Sequence, residues 1–115
     1  MRPHEKLHVW IQGLELSEKI YSATKDFPKE ELYGLTSQMR RASVSIPANI
    51  AEGAARHSKS EFRQFLYIAR GSLSELETEC RIAFRLGYIS EADFKVVYEK
   101  CCAVGAMLTG LIKTL

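Results

Sequence analysis

A chain of 115 residues forms one domain, residues 1–115, large enough to bury about two thirds of the surface its unfolded form exposes, so it needs no covalent staples. Charged residues at 26% and hydrophobic ones at 46% exclude a disordered segment. No apolar run approaches the roughly 18 residues that cross a bilayer, and the opening MRPHEKLHVW lacks the apolar stretch of a signal peptide; the expectation is a cytoplasmic protein with no membrane partner. Net charge is only +2, so any polyanion site must come from how the charges are distributed.

Hydrophobic spacing predicts four amphipathic helices and no strand. The first runs from about Glu5 to Lys25, with Val9, Gly13, Leu16, Ile20, Ala23 and Phe27 on one stripe, and Pro28 ends it. The second begins after Pro28, falters at Gly34, carries Leu32, Leu35, Met39, Ala42, Ile46, Asn49 and Gly53 inward, and stops between Gly53 and Arg56. Ser58 and Glu61 have the spacing of a capping box, in which hydroxyl and carboxylate satisfy free amides at a helix start. A long third helix follows to Leu86, with Phe62, Leu66, Ala69, Leu73, Leu76, Cys80 and Ala83 inward and Gly87 as a left-handed cap. Ser90 caps the fourth, whose stripe is Phe94, Val97, Cys101, Val104, Leu108, Leu111 and Leu115.

Such helices joined by short turns make an all-α, antiparallel up-down-up-down four-helix bundle. Phe65, Ile68, Ile82 and Leu86 lie off the third stripe, more apolar surface than one seam requires, and a homo-oligomer is expected to cover part of it. Cys80, Cys101 and Cys102 form no C-x-x-C pair and are expected to be reduced, buried thiols.

Four residues of the second helix have structural roles: Pro47, Asn49, Glu52 and Gly53. Pro47 lacks an amide hydrogen and crowds the Ser43 carbonyl, a defect of about 3 kcal/mol in a helix interior. The Ser43 and Ser45 hydroxyls are expected to rebond the freed backbone. Asn49 falls on the core stripe, where an amide is tolerated only with its hydrogen bonds met. Small residues around Pro47 and Gly53 keep the helix thin.

Every arginine except Arg2 lies between positions 40 and 85, where Lys59 is the one lysine. Arginine presents a planar fork suited to phosphate or carboxylate. Arg56, Arg63 and Arg70 recur every seven residues with Lys59 between the first two, and Arg81 and Arg85 follow four apart, a row that can neutralise successive phosphates. Arg40 and Arg41 are turned about 100° from each other, so one is expected to reach Glu52 or a carboxylate of a neighbouring subunit. Glu77 has the spacing to pair with Arg81. Tyr67 or Tyr88 offers a ring on which an unpaired base can stack.

The segment from Leu35 to Glu79, LTSQMRRASVSIPANIAEGAARHSKSEFRQFLYIARGSLSELETE, with VW at Val9–Trp10, FPKEELYG before it and LGYI after it, resembles the four-helix-bundle family encoded in intervening sequences of bacterial 23S ribosomal RNA genes. The combination of RRA, SIPANIAEG, EF..FL and GSL.ELE is specific, and the likeness spans Leu7 to Ile89. It implies a bundle that assembles into a ring, with a homopentamer the expected state. A similar protein is the accessory factor of diversity-generating retroelements, a basic pentameric barrel that binds nucleic acid and a reverse transcriptase. No catalytic activity is established for the family.

Two functions therefore remain open: a homo-oligomer binding RNA or DNA through Arg40, Arg41, Arg56, Lys59, Arg63, Arg70, Arg81 and Arg85, or a homo-oligomeric scaffold docking a protein such as a reverse transcriptase. Catalysis has little to stand on. No nucleophile elbow, phosphate-cradling loop or zinc motif occurs; His4, His8 and His57 sit near a terminus or in a turn, and Glu52 with His57 is the sole acid/base pairing to consider. No enzyme activity, cofactor or metal is expected.

Overall fold

Proline and serine decide where the backbone turns helical. The computed structural model describes residues 1–115, with α1 (His8–Thr24), α2 (Leu35–Ala54), α3 (Lys59–Arg85), α4 (Glu91–Lys113) and two short 3-10 turns, Pro3–Lys6 and Lys29–Glu31. Pro3 opens the first turn and Leu7 is extended (φ −89°, ψ 123°), so α1 starts at His8 and not at Glu5. Gly34 breaks the chain before α2, whose first amide, that of Leu35, donates to the Glu31 carboxylate at 3.2 Å. Ser58 and Ser90 cap α3 and α4 by accepting from the Glu61 and Asp93 amides, each at 3.1 Å. The Glu61 carboxylate takes the Ser58 hydroxyl at 3.2 Å, and Gly87 ends the turn after α3 with φ +79°.

Side-chain meetings fix the topology. Down α1, Gly13, Ser17 and Thr24 meet Pro47, Ser43 and Arg40, in falling order along α2. Gly53 and Ser45 of α2 meet Phe65 and Ser72 of α3; Arg70, Arg81 and Phe84 of α3 meet Thr109, Tyr98 and Phe94 of α4. Lys100 of α4 donates to Gln12 and Glu15 of α1. Each helix thus runs against its sequence neighbour and the last closes on the first, in a rod of 43 × 24 × 23 Å.

Most of the predicted stripe residues point inward, with four displacements. Leu32, expected inward, is exposed because it lies in the turn before α2, and Thr24 is buried where Ala23, only half-buried, was expected. Ile50 is fully buried in place of Asn49, because 3.6 residues per turn carries an inward row ahead of a strict seven-residue repeat. Asn49 sits half-buried on the edge facing α3, where its amide donates to the Ser45 carbonyl (2.8 Å) and hydroxyl (2.9 Å). That hydroxyl in turn pairs with Ser72 at 2.9 Å. In α4, Ile112 takes the inward place and Leu111 and Leu115 are half-buried. Cys80 and Cys101 are buried, and burial pushes both thiols up, Cys80 to about 12; Cys102, expected inside, is exposed because it follows Cys101 by one step of the helix.

Gly53 allows the start of α3 to close in: a Cβ there would stand 2.7 Å from the Phe65 Cβ. Pro47 works with α1. The Ser43 carbonyl, deprived of its usual donor, accepts instead from the Ser17 hydroxyl of α1 at 2.9 Å. This corrects the expected local repair, since the Ser43 hydroxyl donates to the Arg40 carbonyl (2.8 Å) and Ser45 is taken by Asn49 and Ser72. Gly13 makes room, its missing Cβ lying 3.3 Å from that of Pro47.

Ser17→Ala leaves a buried carbonyl unpaired and is expected to cost about 1–3 kcal/mol in urea unfolding. In a Pro47→Ala background, where residue 47 regains an amide donor, the same change should cost less than about 0.5 kcal/mol. Equal costs in both backgrounds would refute this account of the proline.

Candidate nucleic-acid interface

At about 100° per residue, α3 carries its charges on opposite flanks. Lys59, Arg63, Arg70 and Arg81 fall on the flank turned toward α4, whereas Glu61, Glu75 and Glu79 fall on the flank turned toward α2; Glu77 is the exception. Contacts agree with this placement. Arg63 donates to the backbone oxygen of Leu115, and Arg70 reaches the Thr109 hydroxyl at 3.5 Å while its guanidinium lies 5.0 Å from the Tyr67 ring centre. Arg81 lies over Phe94 (4.9 Å) and Tyr98 (5.6 Å) of α4. Arg85 is exposed and shares a shallow hollow with Glu77, Arg81 and Tyr98.

The other arginines belong to other faces. Arg40 leans onto α1, donating to Thr24 Oγ1 at 2.9 Å and lying 4.7 Å from the Tyr21 ring centre. Arg41 is exposed beside α3, in a hollow with Gln38, Ser45, Ser72 and Glu75. Arg56, in the turn after α2, pairs with Glu52 at 2.9 Å and covers Phe65 at 4.8 Å. The eight predicted cations therefore occupy three faces, and one row, Lys59, Arg63, Arg70, Arg81 and Arg85, runs down the side of α3 next to α4, where Arg63, Arg70 and Arg81 touch α4 or the residues after it and Arg81 and Arg85 line a groove with Tyr98.

Only two ion pairs form in the protomer, Arg56 with Glu52 and Lys100 with Glu15 at 3.1 Å. The expected Glu77–Arg81 pair is absent because Arg81 is drawn across to the α4 rings, and Glu52 serves Arg56 and neither Arg40, Arg41 nor His57. Among the tyrosines, Tyr88 is consumed by packing: its hydroxyl donates to Glu31 at 3.0 Å and its ring sits 5.6 Å from Phe27. No three His, Cys, Asp or Glu side chains converge on a common point. No helix is long and apolar enough to cross a membrane.

One charged residue of α3 escaped the sequence pattern. Glu79 is 5% exposed, and its Oε1 has no hydrogen-bond partner. Its position, three after Leu76 and four before Ala83, is the signal that places it on the edge of the buried stripe. Burial first, and then the neighbouring Glu75, push its carboxyl up to about 7.

The family model described as 23S rRNA-intervening sequence protein matches residues 5–110. Among solved structures, a crystal structure of a protein with unknown function from the S23 ribosomal protein family of Bacteroides thetaiotaomicron superposes with a TM-score of 0.84 at 25% identity. The superposition covers 91% of this chain and 95% of that one. No curated protein matches.

Because folded Glu79 holds its proton more tightly than an ordinary carboxyl, stability should fall as pH rises from about 4.5 to about 7 and level off above. Glu79→Gln is expected to remove this slope. It should stabilise the protein at pH 8 by on the order of 1 kcal/mol, several degrees of Tm, and converge with the parent at low pH. Thermal melts of both proteins across that range check it; parallel curves would refute it.

Proposed function

The chain belongs to the 23S rRNA-intervening sequence protein family, and from that premise and the geometry of α3 we propose that it is a non-enzymatic homo-oligomer that binds RNA or DNA through its arginine-bearing flank. The observation that carries the proposal is that, of the row Lys59, Arg63, Arg70, Arg81 and Arg85, none is ion-paired to an acidic side chain of its own protomer, Arg63 alone being held by a backbone oxygen, that of Leu115. The span from Arg63 to Arg81 is about 27 Å of one rigid helix. Cations held on such a rod contact successive phosphates without reading sequence, and binding of this kind weakens steeply with salt.

The opposite flank of α3 supports self-association. Ile68 and Leu86 are exposed there, Ile82 lies at the edge of the hollow that holds Arg81 and Arg85, and an apolar hollow lies between Leu7 and Val9 of the first segment and Met107 and Leu111 of α4. Burying the hollow of Leu7, Val9, Met107 and Leu111 against another copy uses none of the cations of the row, and a closed ring multiplies the modest charge of one protomer. By analogy with the family resemblance, the ring is a pentamer. The scaffold alternative, with a protein partner such as a reverse transcriptase, requires those cations to be spent on carboxylates between subunits.

Binding of a generic duplex and of a structured RNA, titrated with salt, separates the two. The expected result is association at low salt that falls log-linearly with added salt. Arg63→Glu with Arg70→Glu should weaken it by about tenfold or more and lower the salt slope by about two, with the oligomer intact by light scattering. No association at low salt would favour the scaffold.

A further inference from the structure

Resting on that nucleic-acid reading and deepening it, we propose that the α3–α4 groove selects unpaired nucleotides, stacking their bases at two arginine–tyrosine pairs, Arg70 with Tyr67 and Arg81 with Tyr98. In both pairs the guanidinium lies on the ring, at 5.0 Å and 5.6 Å from its centre, so the cation is oriented without being neutralised. Both residues are part-exposed, Tyr67 at 46% and Tyr98 at 40%, the Tyr98 ring leaning on Phe94 at 5.8 Å on one side, and neither hydroxyl is bonded within the protomer, unlike that of Tyr88.

A half-exposed ring beside an unpaired cation offers something a duplex cannot use. Paired bases keep their faces inside the stack and present only phosphates to such a groove, whereas a single strand or loop can lay a base on the tyrosine while its phosphate meets the guanidinium edge. Arg70 and Arg81 are about 16 Å apart along α3, the span of no more than about five nucleotides at the 3.4 Å rise of one strand. At the second pair the hollow of about 340 Å³ adds Arg85 for phosphate, and the unpaired Glu77 carboxylate is an acceptor for an exocyclic amino group. Arg40 with Tyr21 makes a similar stack on the α1–α2 face, outside this groove, and serves as an internal control.

The test is fluorescence anisotropy on the full chain at low salt. The probes are a labelled oligouridylate, a labelled oligothymidylate and a duplex of equal phosphate count. Expected is a preference of about tenfold or more for single strands. Tyr67→Leu with Tyr98→Leu should abolish that preference without changing duplex affinity or the salt slope. The ring-keeping Tyr67→Phe with Tyr98→Phe, and Tyr21→Leu, should retain it. Binding of RNA and DNA strands alike identifies the base faces and phosphates as the recognised chemistry; a preference for uridylate adds the 2′-hydroxyl. Equal affinity for strands and duplex, untouched by the leucine changes, would overturn the stacking and leave the phosphate reading standing. No association with any probe would overturn both.

Discussion

The bundle depends on a hydrogen bond that a proline makes necessary. Removing the amide at position 47 strands the Ser43 carbonyl in a fully buried place, and the donor comes from Ser17 on the adjacent helix. A local defect in α2 thereby becomes a directional contact to α1, with Gly13 allowing the proline ring to approach. On its other side, α2 is held to α3 by the Ser45–Ser72 hydrogen bond, with Asn49 orienting Ser45 from within α2, and by the close approach at Gly53. Apolar packing alone lets helices slide along one another at little cost. Fixed polar contacts on both sides of α2 set the register of α1 and α3, and hence which side chains of α3 come to line the groove with α4.

What could be read from sequence was what depends on nearby residues. Caps at Ser58 and Ser90, the left-handed Gly87, the inward row of α3 and that of α4 as far as Leu108 all follow from spacing within a turn or two. The exchange of Asn49 for Ile50 shows the limit of counting: along α2 a step of three or four residues leaves the inward position uncertain by one, and only packing decides it. Ser17 was invisible because its partner lies 26 residues away. The arginines divided in the same manner. Arg56 with Glu52, and Arg70 with Tyr67, are neighbours along the chain, but the Arg81 stack on Phe94 and Tyr98 needs the α3–α4 turn to bring it about.

Guanidinium groups without carboxylates are usually left to wander in solvent, where each long side chain keeps its rotamer freedom. Here Arg40, Arg70 and Arg81 each lie on an aromatic ring. A stack of this kind is worth about 0.5–1 kcal/mol at an exposed site, which offsets part of the ordering entropy while leaving the positive charge available. A salt bridge would order the side chain equally well and cancel its field. The ring therefore orders a cation without cancelling its charge, and the side of α3 next to α4 holds two such cations along one axis.

Glu79 shows the converse principle on the other flank of the same helix. A carboxyl buried beside Glu75 and left without a partner on one oxygen is disfavoured as an anion, so the site relaxes by retaining a proton near neutrality. The acidic residues of α3 are thus turned toward α2, the buried one with its charge disfavoured by its surroundings, and Glu77 alone shares the cationic hollow. That partition lets a protomer with a formal charge of only +2 present a positive flank, because the field of a helix surface follows where charges point more than how many there are.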